Sequence, residues 1–301
     1  MNNNYQFIQK INDLKKEHNA IILSHVYQEG AIQSIADFTG DSLALSKKVI
    51  KSEADTIVFC GVRFMAETAH ILNPDKTILL PNKSAGCDLA DMATITQLEQ
   101  EKKAHPDAAV VCYINSSAEI KANSDICCTS ANAVSIVKSL KEDEIIFLPD
   151  KNLGSYVSEF TSKKIWLWNG FCYVHEDINP QTILSLKKKY PSSETIVHPE
   201  CNKEVRNLAD CIGGTAKMAS YVKESTCNEF IVGTEDNFIY TLQQKNTDKK
   251  FHPVSTRCKG MGTITLTDVI NSLEQKQHTI TLPESIRLKA YKTLENMMSI
   301  S

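Results

Sequence analysis

An α/β fold of three homologous three-layer αβα units, each with a short parallel sheet, is predicted by three features of this 301-residue sequence. Short, apolar, β-branched runs recur along it; amphipathic helical stretches alternate with them; and polar and cysteine positions repeat with a period of about 86 residues.

The strand runs are AIILSHV (20 to 26), TIVFCG (56 to 61), KTILLP (76 to 81), AAVVCYI (108 to 114), EIIFLP (144 to 149), KIWLW (164 to 168), ETIVHP (194 to 199), EFIVG (229 to 233) and HPVS (252 to 255). Each is apolar on both faces, as expected of parallel strands covered by helices above and below. Between them SLALSKKVIK, ANAVSIVKSL and TAKMASYVKE carry apolar residues three and four apart, with lysines on the other face. An amphipathic first helix (Phe7, Ile8, Ile11, Leu14) and a C-terminal helix after Pro283 (Ile286, Leu288, Tyr291, Leu294) flank the repeats. The linkers KKAHPDA and KKYPSSE are short, and no stretch is of low complexity.

The period divides the chain into units at 19–104, 105–190 and 191–276, with 1–18 and 277–301 as flanking segments. Cys87, Cys172 and Cys258 lie 85 and then 86 residues apart, each just beyond the third strand run of its unit. The first run of each unit ends in a polar pair: His25 with Tyr27, Tyr113 with Asn115, His198 with Glu200. Seventeen residues after His25, Tyr113 and His198 come Ser42, Ser130 and Thr215, each expected to open a helix. Packed about a pseudo-threefold axis, the units would gather their strand C-termini, the edge at which open α/β sheets bind ligands.

Composition narrows the function classes. With 42% hydrophobic and 23% charged residues the chain is an ordinary globular protein. No run approaches the roughly 18 apolar residues of a membrane span. Nothing in MNNNYQFIQKINDLKK marks export, so a cytoplasmic location is expected. A net charge of -3 without a basic cluster speaks against nucleic-acid partners. In a chain kept reduced, ten cysteines are explained by packing, metal ligation or catalysis rather than by disulfides.

Any one cysteine is most simply a small buried hydrophobe. Equivalence across three repeats singles out Cys87, Cys172 and Cys258, and three thiolates are an incomplete set for structural zinc. They suit a [4Fe-4S] cluster whose fourth iron stays open as a Lewis acid able to assist dehydration. Cys60, Cys112, Cys127, Cys128, Cys201, Cys211 and Cys227 are expected to be packing. His25 and His198 could be satisfied core histidines, but each has a titratable neighbour two residues on, on the same strand face, which supports acid-base work. Tyr113 and Asn115 offer hydrogen bonds but no base near neutrality, so binding is their task. Ser42, Ser130 and Thr215 read either as plain N-caps or as anion holders at helix N-termini.

The strings SHVYQ, DFTGDSLALS, GVRFMAETAHILNPDKTILLPN, AGCDLADM, YINSSAEIKANSDICCTSANA, GFCYVHEDI, HPEC and TRCKGM, in this order, resemble the quinolinate synthase A family of NAD biosynthesis over essentially the whole chain. The resemblance implies condensation of iminoaspartate with dihydroxyacetone phosphate to quinolinate, with loss of phosphate and two waters. It implies a [4Fe-4S] cluster held by Cys87, Cys172 and Cys258, and pocket roles for His25, Tyr27, Ser42, Tyr113, Asn115, Ser130, His198, Glu200 and Thr215. Tyr27 and Glu200 would transfer protons, with His25 and His198 bonding substrate oxygens. Ser42, Asn115 and Ser130 would hold carboxylates and Thr215 the phosphate. The aspartate oxidase that makes the unstable imine is the candidate protein partner.

Two departures from the family pattern stand out. Many relatives read Gly-Ser-Thr where this chain has Gly213-Gly214-Thr215, and some carry a CxxCxxC run where Cys258 stands alone. Two rival classes are other pseudo-threefold cluster enzymes with reductive or radical chemistry, such as the diphthamide or hydroxymethylbutenyl diphosphate enzymes, and an iron-sulfur sensor or small-molecule binding protein, which would need no acid-base pairs.

Overall fold

A computed structural model describes residues 2–300. Met1 and Ser301, the outer ends of the flanking segments, lie outside the described residues. Each repeat forms one four-stranded, wholly parallel sheet, and the strand order is the same in all three. The first contains β1 (Ala20–His25), β2 (Phe38–Gly40), β3 (Thr56–Cys60) and β4 (Thr77–Leu79), ordered β2-β1-β3-β4. The second contains β5 (Ala109–Tyr113), β6 (Ile126–Cys128), β7 (Glu144–Leu148) and β8 (Lys164–Leu167), ordered β6-β5-β7-β8. The third contains β9 (Glu194–Val197), β10 (Cys211–Ile212), β11 (Glu229–Gly233) and β12 (Lys250–Pro253), ordered β10-β9-β11-β12. Central β3 and β5 are buried at every residue, as the unbroken apolar runs require.

The structure adds one strand per repeat to the sequence reading. β2, β6 and β10 are only two or three residues long, too short to show a period, so the three cysteines follow the fourth strand of each unit rather than the third. β12 also starts earlier than the HPVS run and stops at Pro253, because Ser255 has a φ of 65°, outside the extended region.

Two devices recur that the sequence reading did not include. Asp37, Asp125 and Asp210 each accept, at 2.7 Å, the backbone N-H of the first strand of their repeat, from Ile22, Val110 and Thr195. Each Asp N-H returns a bond to the carbonyl of that same strand residue. Lys76, Lys163 and Lys249 each donate Nζ to two backbone carbonyls just before the third strand: Ser52 and Ala54, Leu140 and Glu142, Val222 and Ser225. Carbonyls left over at helix ends need such donors.

The chain divides into two compact units. One comprises the residues up to Cys87 together with Cys258–Arg287. In it the first sheet is extended by an antiparallel bridge between Leu79 and Thr279, and the helix Leu266–Gln275, closed by a Thr265/Asp268 capping box, packs on β3. The helix Asn2–Glu17 packs on that helix through the buried Ile11 and Leu14, while Ile8 is exposed. The other unit comprises Asp88–Arg257 and the residues from Leu288 on, with the second and third sheets. From Leu288 on, the C-terminal helix buries Ala290, Leu294 and Met297, and Thr293 Oγ1 donates to the Lys121 carbonyl at 2.8 Å. Leu288, expected in that apolar stripe, is 54% exposed, since the buried face follows the 290, 294, 297 spacing. Among the described residues no helix is long and apolar enough to cross a membrane.

Candidate active site

The same backbone clasp holds the loop before each of the three cysteines. The third residue after the third strand donates its N-H to the carbonyl two residues before the cysteine: Arg63 to Ala85, Lys151 to Gly170, Asp236 to Thr256. In the first unit the Cys87 and Cys258 loops meet. A Cβ at Gly260 would overlap the Gly86 carbonyl oxygen, so the two backbones approach where only glycine fits. Gln28 Nε2 donates to Met261 Sδ at 3.4 Å, tying the turn after Tyr27 to the same place. His25, at the end of β1, is 5% exposed; its Nδ1 accepts the Tyr27 N-H at 3.2 Å, which orients the ring, and the Tyr27 ring stands edge-on to it at 4.7 Å.

Cys172 is fixed more closely than its loop alone would require. It precedes a one-turn helix, Tyr173–Glu176, and its N-H donates at 3.0 Å to Oδ2 of the fully buried Asp150. Asp150 Oδ1 accepts from Leu153 N-H, capping the helix Lys151–Ser158. Burial, then the nearby Glu200 charge, push the Asp150 carboxyl well above its ordinary value.

Around Cys172 the second unit assembles a line of polar side chains. His175 Nδ1 lies 3.3 Å from Cys172 Sγ and 2.9 Å from Glu200 Oε2, and its Nε2 is 2.8 Å from Thr234 Oγ1. The His198 ring stacks on His175 at 4.6 Å. His198 Nδ1 faces both the Glu200 N-H (3.3 Å) and Glu200 Oε2 (3.1 Å), and its Nε2 is 3.2 Å from Ser130 Oγ. Without a proton Nδ1 accepts the N-H; with one, it donates to the carboxylate. Glu200 is 3% exposed, and its Oε1 is buried with no hydrogen-bond partner. Burial alone would raise this carboxyl, but the two imidazoles outweigh it and hold it below the usual carboxylate range. Burial lowers the His175 pKa, against the pull of Glu200. An ionised carboxylate with one oxygen anchored and the other unpartnered is a strong acceptor for a hydrogen-bond donor on a bound molecule.

The hydroxyl residues do not cap their helices. Asp41 is the N-cap before Ser42, its side chain accepting from Ala44 N-H. Ser130 lies two residues ahead of the Asn132 cap and so does not open its helix, contrary to expectation. Thr215 follows the Gly214 cap and is 4% exposed. Capping therefore does not account for these hydroxyls. Asn115 Oδ1, beyond β5, is buried without a partner, while Tyr113 ends β5 at 4% exposure.

Gly214 approaches Ser130. Its φ of -61° suits any residue, but a Cβ there would lie 2.8 Å from Ser130 Oγ. Gly214→Ala is therefore expected to fold normally yet turn the Ser130 hydroxyl away from His198. One hydrogen bond of about 0.5 to 1.5 kcal/mol is at stake, up to about tenfold in kcat/KM. Steady-state kinetics beside a thermal melt test this. An unchanged kcat/KM would remove Ser130 from the working site.

None of the ten cysteines forms a disulfide. Cys60, Cys112, Cys127, Cys128, Cys201 and Cys211 are buried, Cys201 in a core with Val197, Val205 and Ile231. Cys87, Cys172, Cys258 and Cys227 are half-buried, and Cys227 Sγ donates to the Ser192 carbonyl at 3.1 Å. His175, Asp150 and Thr234 were absent from the sequence reading. For His175 the signal was present, since Cys172 and His175 share a helix face at a spacing of three.

A family profile described as quinolinate synthetase A protein, NadA, matches residues 9–299. The chain belongs to that family. Quinolinate synthase of Dehalococcoides mccartyi is 52% identical over 293 residues, 97% of each chain. Quinolinate synthase 2 of Methanosarcina acetivorans is 50% identical over 295 residues, 97% of this chain and 95% of the relative. Quinolinate synthase of Clostridium perfringens is 50% identical over 291 residues, 96% and 97%. As a NadA-family protein the chain is an enzyme of NAD biosynthesis.

Proposed function

We propose that the chain condenses iminoaspartate with dihydroxyacetone phosphate to quinolinate, releasing phosphate and two waters, at a [4Fe-4S] cluster held by Cys87, Cys172 and Cys258. The observation that carries this reading is the meeting of a half-buried thiol, Cys172, with a buried carboxylate whose Oε1 has no partner, Glu200, all ligand atoms of Cys172, His175 and Glu200 lying within 4.8 Å. The fit to the cluster is supported by the common clasp on the three cysteine loops. Burial raises the pKa of the Cys60 and Cys201 thiols far above an ordinary thiol's, which disfavours a thiolate ligand at those two positions. The repeats at 19–104, 105–190 and 191–276 and their pseudo-threefold arrangement belong to this reading, as does a cytoplasmic location.

When bound, a cluster with three thiolate ligands supplies one iron with an open coordination position, a Lewis acid for hydroxyl or carboxylate oxygens. The remaining work is the chain's own. Glu200 Oε1 takes a proton from the carbon or nitrogen acid, while His175 anchors Oε2. Tyr27, oriented beside His25, gives a proton to the departing hydroxyl. His25 and His198 bond substrate oxygens. Asn115 Oδ1 accepts from an imine N-H or a hydroxyl, leaving its amide nitrogen, with Ser42 and Ser130, to donate to carboxylates. Aspartate oxidase would supply the imine.

Thr215 and the N-H groups after Gly213-Gly214 hold the phosphate. Losing a hydrogen bond to a charged group costs about 1.5 to 3 kcal/mol. Thr215→Ala should thus lower kcat/KM for dihydroxyacetone phosphate about ten- to a hundredfold, with inhibition by quinolinate changed less. Equal losses for both ligands would replace the phosphate subsite with a shared pocket. The reading as a whole is tested by anaerobic purification, an iron and sulfide count, and product analysis with the two substrates. Four irons and quinolinate are expected; a loaded cluster without quinolinate would overturn it.

A further inference from the structure

The geometry points to a mononuclear site for a borderline-soft divalent cation, zinc(II) by its donor chemistry, formed by Cys172, His175 and Glu200 and available when no cluster is bound. The three donors lie within 4.8 Å of one another, with His175 Nδ1 3.3 Å from Cys172 Sγ and 2.9 Å from Glu200 Oε2. Zinc bonds of about 2.0 to 2.3 Å place tetrahedral ligand atoms about 3.3 to 3.8 Å apart; the two His175 separations are within about half an ångström of that, and side-chain rotation that brings Cys172 and Glu200, within 4.8 Å of each other, together completes the set. One sulfur, one imidazole nitrogen and one carboxylate oxygen favour zinc or cobalt over magnesium or calcium.

Two further observations point to a ligand. Glu200 is 3% exposed, and its Oε1 is buried without a partner beside these donors. His175, 1% exposed, has its far nitrogen 2.8 Å from Thr234 Oγ1, the outer-shell hydrogen bond that metal-bound histidines use to fix ring and tautomer. Three protein donors leave a fourth position for water. Cys172 is half-buried, so an ion can enter.

A cation here uses Cys172 and Glu200 together. It therefore excludes the cluster and removes the base at once, making zinc and cluster assembly mutually exclusive; this consequence, unlike the site itself, rests on the cluster assignment proposed above.

The test uses the full-length chain, purified anaerobically and cluster-free, titrated with cobalt(II) and then competed with zinc(II). Expected are tetrahedral d-d bands in the visible, a thiolate-to-cobalt band in the near ultraviolet, and the same signals in Cys87→Ala and Cys258→Ala. Cys172→Ser, isosteric and able to fold, should lose the near-ultraviolet band. His175→Ala and Glu200→Gln should bind at least tenfold more weakly. Thr234→Val should weaken binding about ten- to a hundredfold, as loss of an outer-shell partner does. A thiolate band that survives Cys172→Ser, or is lost in Cys87→Ala, would overturn the site. The cluster assignment is scored separately, by whether Cys87→Ala still assembles four irons.

Discussion

Cys87→Ala, Cys172→Ala and Cys258→Ala, made one at a time, are each expected to abolish the proposed cluster, whereas Cys60→Ala and Cys227→Ala retain it. Each of the three loops is pinned by a backbone bond to the carbonyl two residues before the cysteine, so the thiol is presented by a rigid turn. Alanine leaves that turn intact and removes only the sulfur. The Gly86–Gly260 approach holds the Cys87 and Cys258 loops together, and Asp150 holds the N-H of Cys172. Cys60 is a buried strand residue and Cys227 satisfies itself on backbone carbonyls at 3.1 and 3.2 Å, so neither change touches this apparatus. Iron and sulfide counts and visible spectra of anaerobic protein, with circular dichroism as the check on folding, decide it. Five variants behaving alike would mean the ligands are misassigned.

The second large effect is expected from Glu200→Gln and Tyr27→Phe, which should keep the cluster spectrum and lose turnover by about 10²- to 10⁴-fold, the usual worth of a general acid or base. Glutamine preserves the size of a side chain that is 3% exposed and can still accept from His175 through its one carbonyl oxygen. What it cannot do is take up a proton at the position of Oε1. Phenylalanine keeps the edge-on contact with His25 at 4.7 Å and deletes only the phenol oxygen. Single-turnover measurements on loaded protein separate chemistry from binding. Full turnover in both variants would exclude them as proton carriers, and loss of cluster or of the melting transition would point to a structural role.

Much of this was legible in the chain. The largely apolar runs at β1, β3, β5, β7, β9 and β11 pointed to parallel strands covered on both faces, because few polar residues interrupt them. The cysteine spacing, with the polar pairs ending each first strand, marked the three repeats and the sheet edge at which the site is proposed. The repeating Asp37, Asp125 and Asp210 and the repeating Lys76, Lys163 and Lys249 were equally visible as a period, but a lone charge on a surface segment looks solvated until its backbone partner is known.

The sequence by itself determined the fold class, the three repeats and which residue types are candidates for the site, since burial periodicity and spacing are properties of the chain. Only the tertiary structure decided which groups meet. That His175 lies between Cys172 and Glu200, that Gly214 leaves room for Ser130, and that Glu200 keeps one buried oxygen without a partner are consequences of side chains from different strands and loops converging within a few ångströms. Hydrogen bonds and desolvation act over such distances, and apart from the three-residue spacing of Cys172 and His175 no pattern along the sequence encodes these meetings.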